Sequence, residues 1–131
     1  MEEIRDYSNN ILAILIRKNF EKDGINFFTP NSYSQQLGAM KHKKGHIIKR
    51  HTHKYNERLV VQTQEVLIIK KGVLKVDFYD VKLNYFDSKI LNEGDLILLA
   101  SGGHGFEVIE DLEMFEIKQG PYDEDKDKEL F

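Results

Sequence analysis

Three histidines and a glutamate are the residues of this sequence best suited to chemistry. His51 and His53 stand two positions apart. Glu65 opens a later apolar run, and His104 follows in the second half of the chain. In an extended strand, residues i and i+2 project from the same face, so the two neighbouring imidazoles can converge on one point. Together with the carboxylate and the third imidazole, this spacing predicts a site for a divalent metal ion.

The predicted ligands offer nitrogen and oxygen but no sulfur, because the chain has no cysteine. Such a set suits Fe(II), Mn(II), Ni(II), Co(II) or Zn(II) and does not select among them. A metal held in this way can polarise a carbonyl or hydroxyl group, or lower the pKa of bound water. The competing interpretation is that the histidines are unrelated strand residues. Two of them at i and i+2, with a third histidine and a glutamate, favour the metal site.

Composition is typical of a globular protein with a single domain over residues 1–131. The chain is 40% hydrophobic and 31% charged, and its net charge of -3 gives no reason to expect a nucleic-acid partner. The N-terminus lacks the pattern of an export signal. The longest apolar run, residues 11–16, is far too short to span a bilayer. We therefore expect a cytoplasmic protein without a membrane partner.

Short apolar runs separated by turn signals, without a long amphipathic helix, predict an all-β sandwich or barrel. The predicted strands are residues 11–16, 25–28, 37–43, 46–53, 65–71, 73–79, 85–91, 96–100, 106–109 and 114–118. Gly72, residues 92–95 and residues 110–111 are predicted turns. The polar start of the chain and the tail, residues 120–131, are predicted to be loosely held. The leading strands, within residues 11–28, are expected to need a partner surface, which predicts a homodimer.

Two stretches resemble the two motifs of the cupin superfamily in the spacing of their glycines and ligands. Their residues are Gly45, His51, His53, Glu65 and Gly72 in the first stretch, and Gly94 and His104 in the second. The resemblance covers residues 37–119. It implies a double-stranded β-helix, the jelly-roll barrel of cupins. It also implies that the three histidines and the glutamate line the barrel interior as ligands of one metal ion.

The first motif departs from the family pattern in its length. The family usually has three or four residues between the second histidine and the glutamate, whereas eleven stand between His53 and Glu65. Glu57 has the usual distance from His53, but Gln64 then stands where the motif has glycine. Glu65 has the correct distance to Gly72 and is the preferred ligand. In the second motif, alanine stands where the family usually has proline, and the family usually has one more residue before the histidine than this chain has.

The resemblance implies a metal-binding protein that acts on or binds a small polar molecule, such as a sugar derivative. The strings HGFEVIED and KQGPY further resemble small single-domain cupins associated with cell-surface sugar biosynthesis. As an enzyme the protein would catalyse isomerisation, epimerisation or an oxygen reaction. Within the insertion, residues 54–64, Glu57 is a candidate general base, and Arg58 is a candidate clamp for a carboxylate or phosphate. The alternative for both residues is a solvated loop.

Two other functions stay open from the sequence. One is a metal- and ligand-binding module without turnover. The other is a metal-free sugar-nucleotide ketoisomerase, since some cupin-fold sugar enzymes use histidines for proton transfer. The presence of all four predicted ligands argues against the metal-free alternative.

Overall fold

In the part of the chain that the structure describes, all the regular structure is β-strand. The computed structural model describes residues 1–123 and 127–131, and this part of the chain contains no helix, which confirms the all-β prediction. Within it, therefore, no helix is long and apolar enough to cross a membrane. The strands of the described residues are β1 (Glu2–Arg5), β2 (Ile11–Ile16), β3 (Gly24–Phe27), β4 (Gly38–Lys41), β5 (Glu65–Tyr79), β6 (Tyr85–Asn92), β7 (Leu96–Leu99) and β8 (Gly103–Lys118).

The chain divides into two compact units. Glu21–Val61 form the first, here named the hairpin unit. Met1–Phe20 and Gln62–Phe131 form the second, here named the sheet unit. The single domain over residues 1–131, with a barrel spanning residues 37–119, stays a prediction.

In the hairpin unit, β3 and β4 pair antiparallel. The described chain forms no further strand before β5, so the predicted strand over residues 46–53 is wrong. The apolar residues of that segment, Ile47 and Ile48, are adjacent. In a strand they would point to opposite faces, so neither face could be buried as a unit. Both side chains are exposed instead, at 81% and 54%.

Five strands of the sheet unit lie in the order β1-β2-β7-β5-β6, and β8 also pairs with β5. β2 confirms the predicted strand over residues 11–16, and it is buried because β1 and β7 flank it. The prediction of a loosely held start is wrong, since β1 pairs with β2 and buries Ile4. The homodimer stays a prediction, but β2 no longer supports it because this strand finds both partners within the chain.

β5 and β8 form one long antiparallel ribbon that bends near its middle. Their register is irregular between Ile69 and Leu74. Gly72 lies inside this stretch with a φ of 88°, and a Cβ on it would stand 2.1 Å from the carbonyl oxygen of Asp111. The hairpin turns predicted at Gly72 and at residues 110–111 are therefore wrong. Both sites lie within continuous strands, and they are the two sides of a single bend.

The connection between β6 and β7 follows the same bend. The backbone N–H of Gly94 donates to the carbonyl of Ile69 at 2.8 Å, and Ile69 donates to the carbonyl of Asp95 at 3.0 Å. The Asp95 carboxylate in turn accepts hydrogen bonds from the backbone N–H groups of Asn92 at 2.9 Å and Lys18 at 3.0 Å. The predicted turn between these strands is confirmed. Its hydrogen bonds hold it against the bend in β5.

The bend also keeps the apolar residues of β5 on one face of the sheet. The residues concerned are each at most 1% exposed and are Leu67, Ile69, Leu74, Val76 and Phe78. Buried positions are odd-numbered before the bend and even-numbered after it, and the irregular register absorbs this change of one residue. The alternation predicted for the second half of β5 is confirmed. These side chains form the core with residues of β1, β2, β6 and β7.

Candidate functional site

Glu65 and His104 meet because the ribbon is bent. In the β5–β8 pairing, Glu65 stands opposite Lys118, whereas His104 stands opposite Phe78. A straight strand would separate Glu65 from Phe78 by roughly 40 Å, at about 3.3 Å per residue. Oε2 of Glu65 nevertheless lies 3.2 Å from Nε2 of His104. Folding the ribbon therefore brings its two ends together, with both side chains on the face that carries the core.

The Glu65 carboxylate is buried, with only 8% of the residue exposed. Its hydrogen bond with His104 lowers the pKa of the carboxyl below its ordinary value, against burial, which acts to raise it. Lys118, at 3.7 Å, favours the same ionised form. An ionised carboxylate beside an imidazole can share a cation with it. It can also orient the imidazole for proton transfer.

Lys118 is a positive charge enclosed by carboxylates. Its Nζ lies 3.3 Å from Glu116 and 3.2 Å from Asp127, in addition to its contact with Glu65. Burial acts to lower its pKa, but the hydrogen bonds to Asp127 and Glu116 outweigh burial, and the pKa is raised. Because Lys118 pairs opposite Glu65, its side chain lies on the same inner face as that carboxylate.

A pocket of about 510 Å³ opens beside Glu65 and His104. Tyr79, the glycine-rich bend at residues 101–103 and the tail residues 127–131 form parts of its wall. Its volume falls within the range of sites that hold small molecules, roughly 300 to 1,000 Å³. The polar pair is therefore accessible to a ligand although the carboxylate is nearly buried.

His51 and His53 lie in the hairpin unit, on an exposed segment without regular structure. Their ring centroids are 5.4 Å apart, with the planes at 81°. Nδ1 of His51 lies 2.9 Å from the carbonyl oxygen of Lys49. Because a carbonyl only accepts, Nδ1 carries the proton in this hydrogen bond, and the lone pair of Nε2 remains for a ligand. Local contacts, rather than strand alternation, hold the two rings together.

Glu57 and Arg58 lie on the same exposed part of the hairpin unit. The Nη1 group of Arg58 donates a long hydrogen bond of 3.5 Å to the carbonyl of Asn56. The structure thus places both residues on a solvated loop, as the alternative interpretation expected. Their catalytic roles stay predictions.

The four predicted metal ligands form two pairs, one in each unit: Glu65 with His104, and His51 with His53. Among the described residues, no group of three or more His, Cys, Asp or Glu side chains is arranged to hold a metal ion. The pair of Glu65 and His104 nevertheless has the separation that a shared ion requires. Two ligand atoms at about 2.1 Å from one ion, at an angle of about 90° to 110°, stand about 3.0 to 3.4 Å apart. The observed distance is 3.2 Å. In the structure this contact is a hydrogen bond from Nε2 to the carboxylate, and a metal ion held by both groups would take the place of that proton.

Two residues of the tail that line the pocket, Asp127 and Phe131, were not singled out from the sequence. The predicted fraying of residues 120–131 includes residues 124–126, which lie outside the described residues. Beyond them, Asp127 pairs with Lys118, and Phe131 packs edge-on against Tyr79. The signal in the sequence was an apolar Leu-Phe pair at the end of an otherwise charged stretch.

Comparison with protein-family models, with curated proteins and with solved structures finds no match for this chain. The likeness to cupins therefore rests on the two motif stretches of the sequence alone. His104, from the second stretch, lies in the pocket wall beside Glu65.

Proposed function

We propose that this protein is a metal-binding cupin whose pocket takes a small polar molecule. The observation that carries the proposal is the buried Glu65 carboxylate, 3.2 Å from the His104 imidazole beside an open pocket. We also propose that the antiparallel sheet belongs to a double-stranded β-helix. A ribbon that bends back on itself, with its polar pair on the inner face, supports this arrangement because a jelly roll needs strands that fold over a common interior.

In this proposal His51, His53, Glu65 and His104 hold one divalent ion, which is Fe, Mn, Ni, Co or Zn. When bound, the ion supplies Lewis-acid chemistry that polarises a carbonyl or hydroxyl group of the ligand. The residues of the chain do the rest. The Glu65 carboxylate offsets part of the positive charge. The Lys49 carbonyl fixes the tautomer of His51, so that the lone pair of Nε2 is available to the metal.

A sugar derivative is the proposed ligand, and isomerisation, epimerisation or oxygen chemistry is the proposed reaction. The pocket volume of about 510 Å³ supports a ligand of this size. Glu57 and Arg58 keep their proposed roles as general base and anion clamp. Both are exposed, so they are free to contact a molecule that binds from solvent.

A second candidate function, metal-free isomerisation, is favoured by the same pair of residues. A carboxylate hydrogen-bonded to an imidazole is the arrangement that orients a general base. Glu65 would hold the His104 ring in the orientation needed for proton transfer. His104 would then move a proton between adjacent carbons of a sugar. This candidate needs neither His51 nor His53.

Proton exchange in D₂O separates these functions. Protein stripped with EDTA, and protein reloaded with each of the five metals, would be incubated with free and nucleotide-linked hexoses. Loss of sugar C–H signals would be followed by ¹H NMR. We expect exchange only after reloading, and we expect Glu57→Gln and Arg58→Ala to abolish it while metal stays bound. Lys54→Ala, on the same exposed loop, is the matched control and should retain exchange.

Each other outcome selects a different function. Exchange in the stripped protein, lost in His104→Gln, would establish the metal-free candidate and overturn the metal-dependent one. Bound metal without exchange of any sugar would overturn isomerisation and epimerisation, and the absence of oxygen consumption as well would indicate a binding module without turnover.

A further inference from the structure

Residues 127–131, here named the strap, form one wall of the pocket. Asp127 places its carboxylate 3.2 Å from Nζ of Lys118. Phe131 places its ring edge-on to Tyr79, with the centroids 5.0 Å apart and the planes at 84°. The same ring lies so close to Gly103 that a Cβ there would stand 2.6 Å from its Cζ. Besides Lys128, Glu129 and Leu130, the strap therefore brings the anionic group of Asp127 and the flat apolar ring of Phe131 to the pocket.

The chemistry of both contacts can be supplied by a small molecule. An anionic group that displaces Asp127 puts negative charge back beside Lys118, whose other carboxylate neighbours are Glu65 and Glu116. A ring that displaces Phe131 keeps the edge-on contact with an aromatic neighbour. The incoming ring can also lie against the backbone of Gly103, where no side chain stands in its way.

We propose that the pocket takes a small molecule that carries an anionic group and a flat ring, and that the strap occupies these two positions until the ligand displaces it. This inference rests on the proposed function in taking the pocket for a small-molecule site. It adds the ligand class and a competing segment of the chain. Phe131 is 63% exposed, so its contact with Tyr79 is shallow, and displacing the ring uncovers little buried surface.

In competition of this kind, the apparent affinity equals the intrinsic affinity multiplied by the fraction of molecules in which the strap is open. One exposed aromatic pair makes a modest contribution, so the expected effect of removing it is about two- to tenfold in affinity. Phe131→Ala removes the ring of the strap. Phe115→Ala is a matched control, because Phe115 is a phenylalanine of β8 with a similar exposure of 55%, and it does not line the pocket as described.

Calorimetry with three probes tests the proposal. Phenyl phosphate carries both groups, inorganic phosphate carries the anion, and benzyl alcohol carries the ring. Of the three probes, we expect phenyl phosphate to have the highest affinity for the wild type. Phe131→Ala should bind it two- to tenfold more tightly, and Phe115→Ala should match the wild type. Asp127→Asn should tighten binding of both phosphates, because Lys118 then has one carboxylate fewer.

A second measurement follows the strap itself. In the wild type, the ring protons of Phe131 and Tyr79 should show a nuclear Overhauser effect that disappears when phenyl phosphate saturates the pocket. An effect that persists with the probe bound, or equal affinities of wild type and Phe131→Ala, would overturn the strap as a competitor while leaving the pocket as a binding site. No binding of any probe to any variant would overturn the ligand class, whereas the proposed function is decided separately by metal-dependent exchange of the sugars.

Discussion

The two pairs of proposed metal ligands are held in different ways. Glu65 and His104 stand on paired strands, and the bend of the ribbon fixes their side chains 3.2 Å apart. His51 and His53 are near neighbours on an exposed segment without a strand, and their rings are 5.4 Å apart. Backbone pairing positions the first pair, so folding alone prepares it. The second pair is held by local contacts only, and we propose that binding of the metal ion fixes the positions of these two rings.

Substitutions at two glycines give the strongest test of whether the bend in the ribbon positions Glu65 and His104. Gly72 and Gly45 both have a φ of 88°. A Cβ on Gly72 would lie 2.1 Å from the carbonyl oxygen of Asp111, whereas a Cβ on Gly45 meets nothing within 4 Å. We expect Gly72→Ala to lower the free energy of unfolding by about 4 kcal/mol, since overlap adds to backbone strain. Gly45→Ala should lower it by about 1 kcal/mol, from backbone strain alone.

Urea unfolding of the two variants and the wild type measures these losses. Similar losses for both glycines would show that the bend does not depend on the close approach at Gly72. In that case the backbone account of the Glu65–His104 pair would fail.

A buried and an exposed carboxylate extend the comparison to electrostatics. Asp95, at 4% exposed, pairs with Arg17 at 2.9 Å beside the bend. Glu21, in the hairpin unit, pairs with Lys41 on the surface. We expect Asp95→Asn to lower the free energy of unfolding by about 2 to 3 kcal/mol at pH 7, because backbone N–H groups and Arg17 lose an acceptor. Glu21→Gln should leave unfolding unchanged within error, since surface pairs contribute little.

The effect of Asp95 should also depend on pH. Burial acts to raise its pKa, but hydrogen bonds from Asn92, Lys18 and Arg17 outweigh burial, and the pKa is lowered. The unfolded carboxyl has a pKa of about 3.9. Its contribution to stability is therefore complete above about pH 5 and is lost as the pH falls through the lowered pKa of the folded state. The difference in free energy of unfolding between wild type and Asp95→Asn should become smaller below about pH 4. A difference at pH 3 equal to that at pH 7 would contradict this assignment.

The ligand pairs themselves should differ when no metal is present. In EDTA, we expect His104→Ala to lower the free energy of unfolding by about 1 kcal/mol, because Glu65 loses its hydrogen bond. His53→Ala should change it by less than about 0.5 kcal/mol, since the residue is exposed. Adding metal should stabilise the wild type more than either variant. Equal effects of the two substitutions in EDTA would remove the distinction between a pair prepared by folding and one that is not.

The sequence predicted those parts of the fold that depend on local patterns. The β-branched run of β2 and the turn between β6 and β7 were recognised because their own residues specify them. The bend was missed because Gly72, read alone, has the properties of a hairpin turn. Only the pairing of β5 with β8, which joins distant parts of the chain, shows that the strand continues through it.

The site was predictable to a similar extent. Glu65 and His104 were named from motif spacing, but their separation depends on the bend. His51 and His53 were assigned to a strand from their alternation, although the segment has no apolar face that a sheet could bury. The contacts of Asp127 and Phe131 depend on where the tail returns, and no periodicity in an acidic stretch encodes that return.

Elemental analysis of the purified protein tests the central claim most directly. The proteins to compare are wild type, His51→Ala and His42→Ala. His42 is an exposed histidine of the hairpin unit that stacks on His46 at 4.0 Å, and it serves as the matched control. The account predicts about one divalent metal per chain in the wild type and in His42→Ala, with a large loss in His51→Ala. Equal and negligible metal in all three proteins, or full metal in His51→Ala, would contradict it.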